Sequence, residues 1–202
     1  MSCLCEKLKP KGSEWSQICI GQLWVFDGLR QAEVEAVVRE ALRKKYQAGQ
    51  SVFMQGDTAK QISLIKAGRV KLSKLLEDGT ELTLDIRKPG DFLGEYIFND
   101  DFNYPVSAWS MEETLVCSFT KDRFEKLVLE YPNIGLQVIK NLSGRIAQLT
   151  DRVGAMSQTH LEERLYSVLL NVAREHGEKK EEGYVIQFPL THEDLGFLIG
   201  AH

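Results

Sequence analysis

No apolar run in this 202-residue sequence approaches the ~18 residues that a membrane-crossing helix needs. Met1 to Lys11 carries charges and cysteines where a secretion signal would place a hydrophobic stretch. The expected compartment is therefore the cytoplasm. Catalytic patterns are missing as well: no G-x-G-x-x-G, no P-loop, no H-E-x-x-H, and no Ser-His-Asp ordering within one domain. An enzyme is not expected. Positive charge is in deficit, with 25 Lys and Arg against 29 Asp and Glu and a net charge of −4, which runs against binding a polyanion. Cysteine is scarce: Cys3, Cys5, Cys19 and Cys117 should be reduced thiols in that compartment unless they bind metal or sense redox state.

What is present is punctuation. Gly49, Gly56, Gly68, Gly79 and Gly90 recur 7 to 12 residues apart, with Gly94 close behind. Between them the apolar residues alternate: Ile62 and Leu64, then Val70 and Leu72, then Leu82, Leu84 and Ile86. That cadence of short strands, with a hairpin signal at Glu77-Asp78-Gly79, predicts an antiparallel rolled β domain over 46–120. Val106 to Phe119 supplies its last two strands. Before it, Val34, Val37, Val38 and Leu42 mark a helix over Gln31–Leu42, closed by Arg43, Lys44 and Lys45. After it, Lys121–Glu130 reads as a short helix with Phe124, Leu127 and Val128 inward, stopped by Tyr131-Pro132.

A helix over Asn133–Ser157 follows. Ile139, Leu142, Ile146, Leu149, Val153 and Met156 step along it by three and four, an a/d seam. Arg145 and Arg152 flank that seam and keep it narrow. Nothing else in the chain matches its length, so a second copy of the chain is the expected partner. The alternative is that the stripe packs on its own barrel.

Leu161–Glu175 forms a further helix with Leu165, Val168, Leu169 and Val172 as its core face. A charged turn, Gly177–Gly183, and a strand, Tyr184–Phe188, come next. Thr191 can then cap a helix whose first turn holds Glu193 and Asp194. Leu195 and Ile199 share one face, Gly196 permits a close crossing, and Gly200 suits a tight interhelical turn. Together these read as the first half of a helix-turn-helix.

The ordered set of segments resembles the Crp/Fnr family of bacterial transcription regulators over essentially the whole chain. It comprises Val25-Phe26-Asp27-Gly28-Leu29, Ile65-Lys66-Ala67-Gly68-Arg69-Val70-Lys71, Pro89-Gly90-Asp91-Phe92-Leu93-Gly94-Glu95 and Glu162-Glu163-Arg164-Leu165. The resemblance implies an α+β protein with a cyclic-nucleotide-binding-like β jelly roll, a dimerisation helix and a winged helix-turn-helix, incomplete here. The expected domains are a cysteine-bearing arm (1–22), the sensor with its flanking helices (23–131), the dimerisation helix (132–158) and the DNA-binding domain (159–202). It also implies double-stranded DNA, a homodimer and RNA polymerase as partners. Thr191, His192 and His202 fall where family members touch DNA phosphates. The base-reading residues would lie beyond His202; a chain naturally ending there would be a dimerising partner without DNA binding.

For the effector pocket the resemblance points to Gly94, Glu95 and Ser107. In cyclic-AMP receptor proteins an arginine beside that serine binds the phosphate, whereas here Val106 stands there after Pro105. Without the bidentate guanidinium, no productive cyclic-AMP binding is expected, and Glu95 reads as a structural carboxylate satisfying backbone donors. Haem is not expected either, because His160, His176, His192 and His202 all lie beyond the barrel. Cys19 and Cys117 resemble cluster-ligating positions of the oxygen-sensing branch, with Cys3 and Cys5 left to complete a set for an iron–sulfur cluster. The C-x-C spacing departs from that branch's pattern. A reversible disulfide or thiol sensor, or no cysteine role with a small-molecule effector instead, stay open beside it.

Overall fold

A computed structural model describes residues 23, 27–99, 102–156 and 160–199. Helix α1 (Gln31–Glu40) leads into strands β1 (Leu42–Tyr46), β2 (Ser51–Phe53), β3 (Gln61–Ala67), β4 (Val70–Leu75), β5 (Glu81–Arg87) and β6 (Phe92–Leu93). A 3-10 turn (Glu95–Phe98) follows, then β7 (Ser107–Ser110), β8 (Thr114–Thr120), α2 (Lys121–Glu130) and α3 (Pro132–Met156). The remainder is α4 (Leu161–His176), β9 (Glu178–Lys180), β10 (Gly183–Val185) and α5 (His192–Ile199).

Two four-stranded antiparallel sheets, in the orders β1-β8-β3-β6 and β2-β7-β4-β5, face each other. Tyr46, Phe53, Ile65, Val70, Leu93, Val106 and Val116 fill the space between them. Strand alternation then decides what the outer face of the first sheet meets. Ile62 and Leu64 on β3, with Cys117 and Phe119 on β8, pack against Val37 and Val38 of α1, Phe124 and Leu127 of α2, and Ile134 and Val138 of α3. β3 and β8 are thus buried on both faces. Each such aliphatic side chain contributes roughly 1.5–3 kcal/mol on burial, so this double layer anchors the domain.

The structure moves two boundaries. The first helix ends at Glu40 rather than Leu42, and Leu42-Arg43-Lys44-Lys45-Tyr46 is β1, paired with β8 from Leu42↔Ser118 to Tyr46↔Thr114. The basic residues that read as a helix end are the charged side chains of an edge strand, where lysine discourages pairing with other chains. Likewise, the strand expected over Tyr184–Phe188 covers Gly183–Val185, and the preceding charged turn contains its antiparallel partner, Glu178–Lys180. A third cluster joins Val168 and Val172 of α4, Phe188, and Leu198 and Ile199 of α5 to Ile86 of β5. The C-terminal helices are therefore docked on β5 through an apolar interface.

Candidate functional site

The loop after β6 is built around Gly94. Its φ of +79° lies in the left-handed region, and an added Cβ would stand 2.5 Å from the Gln61 carbonyl oxygen, so only glycine fits. Glu95 follows at the start of the 3-10 turn, and its Oε1 is 3.2 Å from Nη2 of Arg87. Glu95 is thus a structural carboxylate, but its partner is a guanidinium on β5. Arg87 Nη1 donates to the Phe92 carbonyl at 3.1 Å, and Nε stands 2.8 Å from Asp85 Oδ2 as an ion pair rather than a directed hydrogen bond. Burial alone would push Arg87 toward losing its proton, but the charges of Glu95, Asp85 and Asp91 outweigh it and hold the guanidinium above its ordinary range.

The network continues into α3. Arg145 Nη2 lies 3.1 Å from Asp85 Oδ2 and 3.2 Å from Asp91 Oδ2, and Nη1 donates to Gln148. Expected to flank the seam, Arg145 is instead buried, 7% exposed, and turned onto β5 and the turn after it. Asn141, one turn earlier on the same face, donates to the Gly90 carbonyl at 3.4 Å. Arg145 Nη1 also comes within 4.0 Å of Glu175 Oε2 on α4. A line of alternating charge therefore runs from Glu95 through Arg87, Asp85 and Arg145 to the end of α4.

Ser107 has a separate engagement: its Oγ accepts from the Gln55 backbone N–H at 2.9 Å. Val106, at the position an arginine would occupy, is 5% exposed and belongs to the apolar filling between the sheets. The described residues therefore do not fit a cyclic phosphate. No cation stands at Val106, and Glu95 and Arg87 neutralise one another.

At the other end of the molecule, Thr191 and Asp194 close the start of α5 reciprocally. Asp194 N–H donates to Thr191 Oγ1 at 3.0 Å, and Thr191 N–H and Oγ1 donate to Asp194 Oδ2 at 3.1 and 2.8 Å. The expected cap is present, with aspartate in the role glutamate often takes. Thr191 and His192 face solvent; His202 lies outside the described residues.

Residues 43–131 match the cyclic nucleotide-binding domain family. The chain is 24% identical over 177 residues to a CRP-like cAMP-activated global transcriptional regulator of Mycobacterium tuberculosis, covering 88% of this chain and 79% of that one. It is 26% identical over 182 residues to the fumarate and nitrate reduction regulatory protein of Escherichia coli, covering 90% and 72%. The chain is thus similar to regulators of the Crp/Fnr type. Its fold is that of the c-di-GMP responsive global regulator CLP of Xanthomonas campestris, with a TM-score of 0.72 at 19% identity over 86% of each chain. These relatives are transcription regulators rather than enzymes.

In this chain α3 has two unlike faces. Ile134, Val138, Asn141 and Arg145 are buried against the β domain and its flanking helices. Ile139, Ile146, Leu149 and Val153 are exposed by 59, 66, 50 and 68%, and Leu142 between them is half-buried. Of the described seam residues, Leu142 packs against the cluster on the outer face of the first sheet, whereas the other four are left exposed. The side chains of Arg152 and Met156 lie outside the description.

Among the described residues no group of three or more His, Cys, Asp or Glu side chains gathers to hold a metal ion. Cys3, Cys5 and Cys19 lie outside them. Cys117 is buried on the helix-facing side of β8, in the same cluster as Leu23. Cys19 precedes Leu23 by four residues in the sequence. No membrane-crossing helix occurs among the described residues.

No motif marks Asp85 in the sequence, and Asp91 and Lys71 stand out there only as members of matching segments, with no site role. The signal was available for one pair: Asp85 and Arg87, two apart on a strand, must share a face.

Proposed function

We propose that the chain acts as a homodimer, binding double-stranded DNA and regulating transcription with RNA polymerase as partner, under control of a signal received by the jelly roll and its N-terminal arm. The observation that carries this reading is the exposed heptad stripe on α3. An a/d seam left in water on a 25-residue helix is what two copies bury against each other. Each copy then carries a capped α5, the first half of the expected helix-turn-helix, so the pair presents two such motifs, as a two-fold operator requires. Thr191 and His192, exposed at the start of α5, are the groups offered to phosphates.

Cyclic AMP is not the signal on this reading, because Val106 and the Glu95–Arg87 pair leave its phosphate without a cation. A redox or oxygen signal through Cys3, Cys5, Cys19 and Cys117 is supported by the shared cluster of Leu23 and Cys117 and by the kinship with a fumarate and nitrate reduction regulator. An iron–sulfur group on those thiolates would supply an oxidation-sensitive link between the arm and the barrel. A small-molecule effector is the alternative. Purification without oxygen, followed by an absorbance spectrum and iron analysis, tests the choice. Visible sulfur-to-iron absorption with stoichiometric iron is expected; a colourless, iron-free protein removes the cluster. A gel-shift and sedimentation pair tests the regulator itself, with the protein expected to bind duplex DNA as a dimer.

A further inference from the structure

The DNA-side domain is attached to the sensor by more than its apolar core. One helix end of that domain, with its unsatisfied backbone groups, is closed by side chains of the barrel, and the capping carboxylate of a second helix is held by others. At the C-terminus of α4, Lys88 Nζ donates to the Glu175 carbonyl at 2.9 Å, and Arg69 Nη2 to the His176 carbonyl at 3.0 Å. Cations are the charge that this end of a helix favours. The Arg69 guanidinium also lies 4.5 Å over the Phe188 ring. At the N-terminus of α5, Asp194 uses one oxygen for the Thr191 cap and turns the other to the sensor. Its Oδ1 accepts from Thr83 Oγ1 at 2.9 Å and lies 3.3 Å from Lys71 Nζ. Asp194 is 5% exposed, so a carboxylate out of water is compensated by partners from two domains at once.

We propose that Asp194 is an interdomain latch, its carboxylate capping α5 and tying it to Lys71 and Thr83 of the β4–β5 face, so that the docked arrangement is a discrete state released as a unit. This rests on the regulator reading, and it names the contact that a signal must break to re-aim the DNA-binding domain. The physical reason for two-state behaviour is the shared carboxylate. If the domain moves by a few ångströms, Asp194 keeps its cap but loses both sensor partners, and the buried Thr83 hydroxyl is left facing an apolar interface. A cleft of about 380 Å³, lined by Lys71, Trp109, Thr191 and Asp194 among others, opens beside the latch and gives water a way in.

The test uses the full chain and substitutes only the sensor side, leaving the α5 cap whole. Lys71→Met with Thr83→Val should raise amide hydrogen exchange about tenfold or more in α5 and in β5, while β3 and β8 keep wild-type protection. Thr83→Ser, which retains the hydroxyl, should match wild type. Unchanged exchange in α5 and β5 overturns the latch. So does a rise that includes β3 and β8, because Lys71 and Thr83 would then support the barrel rather than the dock. Duplex binding measured on the same samples separates the two claims: loss of the latch with DNA binding intact leaves the regulator reading standing, whereas released exchange in a dimer that binds no DNA overturns that reading alone.

Discussion

The Glu95 carboxylate and the Arg87 guanidinium stand 3.2 Å apart, with side chains 18% and 7% exposed. This pair turns what resembles a ligand-binding glutamate into one member of an internal network of two arginines and the carboxylates of Asp85, Asp91 and Glu95. Removing one cation from such a cluster leaves buried negative charge uncompensated. Arg87→Met should lower the unfolding free energy by about 3–5 kcal/mol, read by urea denaturation. Calorimetry with cyclic AMP should show no heat at ligand concentrations up to about 100 times micromolar; low-micromolar binding would sink the assignment.

The α3 stripe gives the second expectation. Leu149 is 50% exposed near the middle of the seam, so Leu149→Asp should cost the single chain little and the two-chain state a great deal. Sedimentation should report monomers with an unchanged far-ultraviolet spectrum. A persistent dimer would show that the seam is elsewhere.

His176 sets a pH dependence. Burial first, then the neighbouring positive charges of Lys88 and Arg69, lower it to about 3. The folded chain holds this imidazole neutral over a range where the unfolded chain, near 6.5, takes up a proton. Stability is therefore fully present above about pH 6.5 and declines toward pH 3, by at most about 1.4 kcal/mol per pH unit. Asp194 acts in the same direction. Burial alone would raise its carboxyl, but the hydrogen bonds from Thr191 and Thr83 and the charge of Lys71 bring it below the usual range, so its contribution is lost as pH falls through that lowered value. Denaturation curves at pH 7.5 and 5 should differ accordingly, and His176→Phe should flatten the difference.

Gly94 supplies a steric expectation. A Cβ there meets backbone, the Gln61 oxygen at 2.5 Å, and the φ of +79° is costly for any other residue. Gly94→Ala should destabilise the sensor domain by more than about 1 kcal/mol, seen as a lowered thermal midpoint. A neutral outcome would mean that the 94–95 loop is softer than its packing implies.

Much of the fold was legible locally. Turn glycines and period-two alternation marked β3, β4, β5 and β8 because both signals live within a few residues of each other. The α2 stop at Tyr131-Pro132 and the cap at Thr191 were legible for the same reason. Leu42–Lys45 reads as the end of a helix because a short strand of Arg and Lys has no alternation to show; only pairing with β8 makes it a strand. Arg145 reads only as a flank of the seam because a heptad pattern says which face a residue occupies, not what packs on that face.

The amino-acid order alone therefore determined the succession of elements and the narrow apolar stripe on α3, since period and turn chemistry are properties of neighbouring residues. The tertiary structure decided which charges meet: Glu95 with Arg87, Arg145 with Asp85 and Asp91, and Asp194 with Lys71 and Thr83. Except for the short hop from Glu95 to Arg87, these partners lie tens of residues or more apart in the chain. Their attraction becomes strong only after two sheets and two helices have folded together and excluded the water that would screen it.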